Sequence, residues 1–167
     1  MVWSGYAIAL FIVYVVQAAV VSLLGLEHVD LFLVLAITYG LMAPTYDARL
    51  AAWLAGLVQD LGTADPLGIH AFILGMTGLF VTHLREIGNA DVWWMRLLIV
   101  FLAAWPAYLL YILYLHFWVG HGDQTLLAMA GSAAWTAGIA SVLVLGLTSL
   151  PALSARRRWR RQHMSRG

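Results

Sequence analysis

The residues best suited to chemistry fall in one short segment, 56–71, which reads Gly-Leu-Val-Gln-Asp-Leu-Gly-Thr-Ala-Asp-Pro-Leu-Gly-Ile-His-Ala. Part of it has a purely architectural use. Gly62 suits a left-handed position that closes a helix, Asp65 suits an N-cap, and Pro66 suits the first helical position after it. The segment therefore predicts a helix, a tight turn and a second helix. Asp60 and His70 are left over from that account. Both fall near the ends of apolar runs, where a carboxylate requires a partner or a wet cavity. Gln59, Thr63 and His70 are the partners expected within reach. A carboxylate beside an imidazole can relay a proton or hold a small polar ligand. The same pair can form a hydrogen-bonded clasp that fixes the angle between two helices, as polar side chains commonly do in membranes. The clasp is the simpler reading.

Two other groups bring imidazole and carboxylate together in sequence: Glu27, His28 and Asp30, and His116, His121 and Asp123. Such donors bind divalent metals, but their spacing matches no closed metal motif, so no metal or cofactor is expected. The sequence contains no His-Glu-x-x-His, Gly-x-Ser-x-Gly or Gly-rich phosphate loop. Ser132, Thr136 and Ser141 show no triad spacing, and hydroxyls in membrane helices usually bond their own backbone. The chain is expected not to be an enzyme. Ala130, Ala134, Gly138, Val142 and Gly146 recur every four residues. On such a stripe a second backbone can approach closely, whether from the same bundle or from a partner. Gly75 and Gly78 form a smaller notch. Trp105, Pro106, Tyr108, Tyr111 and Tyr114 make one bulky stretch, suited to face lipid or to dock.

The elements that must position these residues follow from composition. Of the 167 residues, 63% are hydrophobic and 10% charged, against about 45–50% and about 25% in average globular chains. The mean hydropathy is +0.86. So few charges cannot cover a soluble surface, and the apolar residues come in long runs. Runs over residues 5–24, 31–46, 50–61, 66–84, 97–119 and 125–150 predict six membrane helices, since about 20 apolar residues cross a bilayer. The third is short and is expected to begin earlier, near Tyr46, or to tilt. Pro44 is expected to end or kink the second. Continuous apolar runs exclude a barrel. The first run is read as a retained helix and not a cleavable signal, because it has no basic leader. One bundle over 1–155, with a basic tail over 156–167, is the expected organisation.

Charge placement supports this count. There is no lysine, and Arg49, Arg85, Arg96 and six tail arginines account for all nine basic residues. With six helices and both termini cytoplasmic, every arginine falls inside, while Glu27, Asp30, Asp65 and Asp123 fall outside, as the positive-inside rule requires. Tyr6, Trp53, Trp93, Trp94 and Trp118 fall near helix ends, where amphipathic rings favour the interface. The tail, Arg156 to Arg161 around Trp159, is read as a topology anchor. Nucleic-acid binding is not expected, and the absence of cysteine leaves no disulfide or thiolate site.

Within segment 56–71, Gly56, Leu57, Asp60, Pro66, Leu67, Gly68 and Ala71 match a Gly-Leu-x-x-Asp, turn, Pro-Leu-Gly pattern, with His70 beside it. In this the chain resembles the rod shape-determining MreD family, small bacterial membrane proteins of five or six helices. The resemblance implies a non-enzymatic scaffold in the inner membrane. Its expected partners are a bitopic MreC-like protein and, through it, MreB, the RodA glycosyltransferase and a penicillin-binding transpeptidase. It carries over no catalytic residue. It also implies a fold similar to the substrate-binding subunits of energy-coupling-factor vitamin transporters. The alternative function is therefore that of a vitamin-binding membrane subunit, which predicts an outer cavity lined by Asp60, His70 and tryptophans.

Overall fold

The computed structural model describes residues 3–21, 23, 29–63, 65–88, 92–119 and 126–149, and these form six helices and no strand. Helix α1 is Trp3–Val16, continued by a π-helical turn at Gln17–Val21. Helices α2, α3 and α4 are Leu31–Met42, Thr45–Gly62 and Ile69–Ile87. Helix α5 is Trp93–Tyr114, with Pro106 inside it and a π-helical turn at Leu115–Val119, and α6 is Leu126–Ser149. The basic tail, Glu27, His28, His121 and Asp123 lie outside the described residues.

Local chemistry sets the boundaries. Proline fixes φ and holds the residue before it out of the helical region. Accordingly α2 stops at Met42, Ala43 is extended, and Pro44 becomes the N-cap of α3. That early start gives α3 the turn that run 50–61 lacked. The expected close of α3 differs from the observed one. Gly62 is the last helical residue, and the C-cap is Thr63 in extended backbone. The left-handed residue is Gly68, at φ 105, which serves as N-cap of α4. Helix α4 thus begins at Ile69 and not at Pro66, and Asp65 is not its cap.

Helix α2 packs against the other five. It is apolar around its whole circumference, as a central helix must be, and buries Phe32, Leu33, Val34, Ile37 and Leu41. The most extensive packing joins α3 to α4. Ala48, Ala52, Gly56 and Asp60 recur every four residues along the buried face of α3, so the two backbones come close. A Cβ added at Gly78 would lie 2.5 Å from the Ala52 Cβ, and one at Gly56 would lie 2.5 Å from the Ala71 Cα.

One end of the bundle gathers the described arginines, beside Asp47 and Glu86. Arg85, from the last turn of α4, donates to the carbonyls of Gly40 at 2.9 Å and Ala43 at 2.6 Å, and to Thr45 Oγ1 at 3.1 Å. A cation is thereby placed on the carbonyl end of α2, where the helix dipole favours it by about 0.3–1 kcal/mol. Arg49 Nε donates to Thr82 Oγ1 at 3.0 Å. Tyr6, expected at an interface, is instead buried. Its hydroxyl donates to the Ala51 carbonyl, and its ring meets Tyr39 at 4.7 Å.

Large apolar side chains cover much of the outer surface. They include Phe11 and Ile12 on α1, Phe72 on α4, Phe101 and Trp105 on α5, and Trp135 and Val142 on α6. Among the described residues one stretch, Trp93–Phe117, is long and apolar enough to cross a membrane, with 25 residues and a mean hydropathy of 2.1 over an 18-residue window within it. Trp3–Ala19, Leu31–Met42 and Ala130–Gly146 are apolar but shorter. At 12 residues, α2 extends about 18 Å at 1.5 Å per residue.

Candidate functional site

The end opposite Arg85 is acidic, and Asp60 organises it. Helix α4 begins with a glycine N-cap, so its first amides have no side-chain acceptor of their own. Asp60, in the last turn of α3, supplies one. Its Oδ2 accepts from Gly68 N at 2.9 Å and Ala71 N at 3.1 Å, and its Oδ1 accepts from His70 N at 2.9 Å. His70 Nδ1 lies 2.9 Å from the same Oδ1 and donates to it. A carboxylate offers about four acceptor positions, and these four bonds fill them. The side chain is fully buried at the positive end of a helix dipole, where a negative charge is favoured. Asp60 therefore acts as a cap supplied from α3 to α4, with its acceptor positions filled.

His70 turns its other edge to the α3–α4 turn and α5. Nε2 lies 3.8 Å from Asp65 Oδ2, the ring stacks on Tyr111 at 5.5 Å, and the Tyr111 hydroxyl donates to Asp65 Oδ2 at 3.2 Å. Asp65 thus ties the turn to α5.

Asp30 forms the second centre. Its Oδ1 accepts from Leu33 N at 3.0 Å, which makes it the N-cap of α2, and its Oδ2 accepts from Gln59 Nε2 at 3.3 Å. Its own amide donates to Thr136 Oγ1 at 3.3 Å, and Thr136 bonds the Tyr108 hydroxyl at 2.7 Å. Gln17, in the π-helical turn, accepts from Leu31 N at 2.9 Å and donates to the Val29 carbonyl at 3.0 Å. Through these bonds the start of α2 is tied to α1, α3, α5 and α6. Burial pushes the Asp30 carboxyl above the ordinary carboxylate range, against the lowering effect of the Leu33 and Gln59 hydrogen bonds. A carboxyl so raised binds its proton more tightly folded than unfolded, so its contribution to stability is lost as pH rises from about 4 through the raised value. Asp30→Asn keeps a capping oxygen and removes that titration. The melting temperature of the purified variant is expected to gain on wild type as pH rises across this range. Parallel pH profiles would contradict the assignment.

Between these centres lies a cavity of about 180 Å³, lined by Gln17, Asp30, Gln59, His70, Tyr108 and Tyr111 together with apolar groups from α2, α4 and α5. Asp60 does not line it, and tyrosines stand where tryptophans were expected. On the outer face of α3 and α4 a second, apolar groove of about 470 Å³ includes Leu57, Leu67, Gly68 and Ala71.

Of the residues singled out in segment 56–71, Gly56, Asp60, Gly68, His70 and Ala71 meet where α3 crosses the start of α4. Leu57 and Leu67 lie toward the groove, and the Pro66 carbonyl accepts from Ile69 N at 3.4 Å. Gln59 bonds Asp30 and not Asp60. The hydroxyls divide: Ser141 bonds the Ala137 carbonyl in its own helix, whereas Thr136 reaches across to Asp30 and Tyr108. Among the described residues no three His, Asp or Glu side chains are grouped to hold a metal ion. On α6 the buried face is Ala133, Thr136, Ala137, Ala140 and Val144. Ala134, Gly138, Val142 and Gly146 are exposed on the opposite side, and a Cβ added at Gly138 would meet nothing within 4 Å. The stripe is therefore not used by the bundle's own described helices.

Asp30 was readable as a cap, since it directly precedes an apolar run. Gln17, Tyr108 and Thr136 carried no such signal, because their partners lie on other helices. No family model, no curated protein and no solved structure matches the chain.

Proposed function

We propose that the chain is a non-enzymatic, multi-pass scaffold of the bacterial inner membrane. It holds a bitopic MreC-like protein and links it to MreB, RodA and a penicillin-binding transpeptidase of the cell-elongation machinery. Six spans with both ends cytoplasmic are part of the proposal. Supporting them, Arg49 and Arg85 cluster at one end of the bundle and Asp30, Asp60 and Asp65 at the other. A Cβ added at Gly88 would lie 3.5 Å from the Met95 side chain, which brings the start of α5, with Arg96, to the end that carries Arg85. Large apolar side chains exposed on α1, α4, α5 and α6 suit a lipid-facing surface.

The observation that carries the scaffold reading is the outward small-residue face of α6. Such a face allows a second helix to approach backbone to backbone, and the bundle's described helices pack on the other side. Gly138→Leu separates folding from docking. With no atom near the new side chain, stability is expected to change by no more than about 0.5–1 kcal/mol. Capture of the bitopic partner is expected to fall at least tenfold. Equal capture by variant and wild type would show the face to be covered by lipid.

The vitamin-binding alternative draws support from the partly polar, partly aromatic cavity. Its volume of about 180 Å³ is below the roughly 300–1,000 Å³ of pockets for drug-sized ligands, and the residue expected to anchor the ligand, Asp60, is fully occupied. The scaffold is the better-supported reading.

A further inference from the structure

The cavity has a chemical bias that the scaffold role does not use. Its described lining contains acceptors in excess and no lysine or arginine. Asp30 presents a carboxyl whose two oxygens each accept one bond, leaving lone pairs unused. Gln59 spends its amide NH₂ on Asp30, and its Oε1 is buried with no hydrogen-bond partner. His70 gives its Nδ1 proton to Asp60 and turns Nε2 toward Asp65. Tyr108 and Tyr111 supply aromatic walls, and aromatic faces attract cations. At about 30 Å³ per water, the volume corresponds to roughly six water-sized units.

We infer that this cavity is a binding site for a small organic ammonium ion, held by the Asp30 carboxyl between the rings of Tyr108 and Tyr111. An ammonium brings three donors and a positive charge to a site made of acceptors, and its carbon body suits the Leu33, Ile73 and Leu74 side of the cavity. An anion would face the Asp30 carboxyl with no lysine or arginine in the described lining to offset it. The inference is independent of the membrane topology and of the bitopic partner.

The test is a thermal-melt titration of the purified full chain with ethanolammonium, ethylene glycol and glycolate, at constant ionic strength. These probes are similar in size and differ in charge. Ethanolammonium alone is expected to raise the melting temperature saturably, and Asp30→Asn is expected to shift its midpoint at least tenfold upward. Tyr108→Leu, which removes one aromatic wall, serves as the second variant and is expected to weaken the response in the same direction. Equal responses to all three probes, or no saturable response to ethanolammonium on the unaltered protein, would overturn the inference and leave the cavity as a water site. An undiminished response in both folded variants would place the cation elsewhere and overturn it equally.

Discussion

Asp60→Ala is expected to lower stability by about 3–5 kcal/mol, the range for breaking a buried, hydrogen-bonded charge arrangement by removing one partner. The reason is local and countable. Three backbone amides, of Gly68, His70 and Ala71, and the His70 ring lose their acceptor together. The position is closed to solvent, Asp60 being 3% exposed, so water cannot readily replace the carboxylate. Because the N-cap Gly68 has no side chain, α4 has no second cap to fall back on. Asp60→Asn should lie between wild type and Asp60→Ala, since one amide oxygen remains to accept but the charge at the helix end is gone. Denaturant unfolding in detergent measures both. A melting curve for Asp60→Ala within a degree of wild type would refute the capping role.

Gly56→Ala is the second large effect, and it arises from sterics. The added methyl carbon would lie 2.5 Å from the Ala71 Cα and closer still to the His70 carbonyl oxygen. Both obstacles are backbone, so no rotamer change relieves them and α3 must move off α4. Overpacking of this kind costs about 1–3 kcal/mol and occasionally more. The displaced face is the one that carries Asp60, four residues and one turn further on, so the carboxylate is drawn away from the amides it caps. The two changes should therefore be coupled. In the double variant the loss is expected to fall short of the sum by at least about 0.5 kcal/mol, as for residues that share one structural element. Strict additivity would mean that the close approach at Gly56 and the cap at Asp60 are independent.

Particular residues show which features could be read from the chain. Six apolar runs give six helices, because a helix long enough to bury its backbone leaves a continuous hydrophobic record. The junction of α2 and α3 was likewise marked by Pro44, whose ring acts on its nearest neighbours. The turn at 63–68 was read less well. Gly62 and Gly68 both permit a left-handed residue, Asp65 and Asp60 both make good caps, and local rules choose the nearer of each pair. The folded chain uses the farther ones, since Asp60 reaches across from α3 and frees Asp65 for Tyr111. The four-residue repeat Ala48, Ala52, Gly56, Asp60 is present in the sequence, and a third helix that begins near Tyr46, as α3 does at Thr45, contains all of it. The links among Gln17, Asp30, Tyr108 and Thr136 span up to 106 residues, and no local pattern marks a partner at that distance. The same holds for the α6 stripe. Its spacing is plain, but which side of the helix faces the bundle depends on Thr136, Ala137 and Ala140 finding α2 and α5.

The scaffold claim is tested most directly by a mild-detergent pull-down of the tagged protein from native membranes, with the Gly138→Leu variant alongside and mass spectrometry of what is retained. The account predicts an MreC-like bitopic protein together with cell-wall synthases on the wild type, and their loss from the variant at equal expression. An ATPase pair with a coupling membrane subunit in their place would contradict it and return the chain to the vitamin-binding alternative.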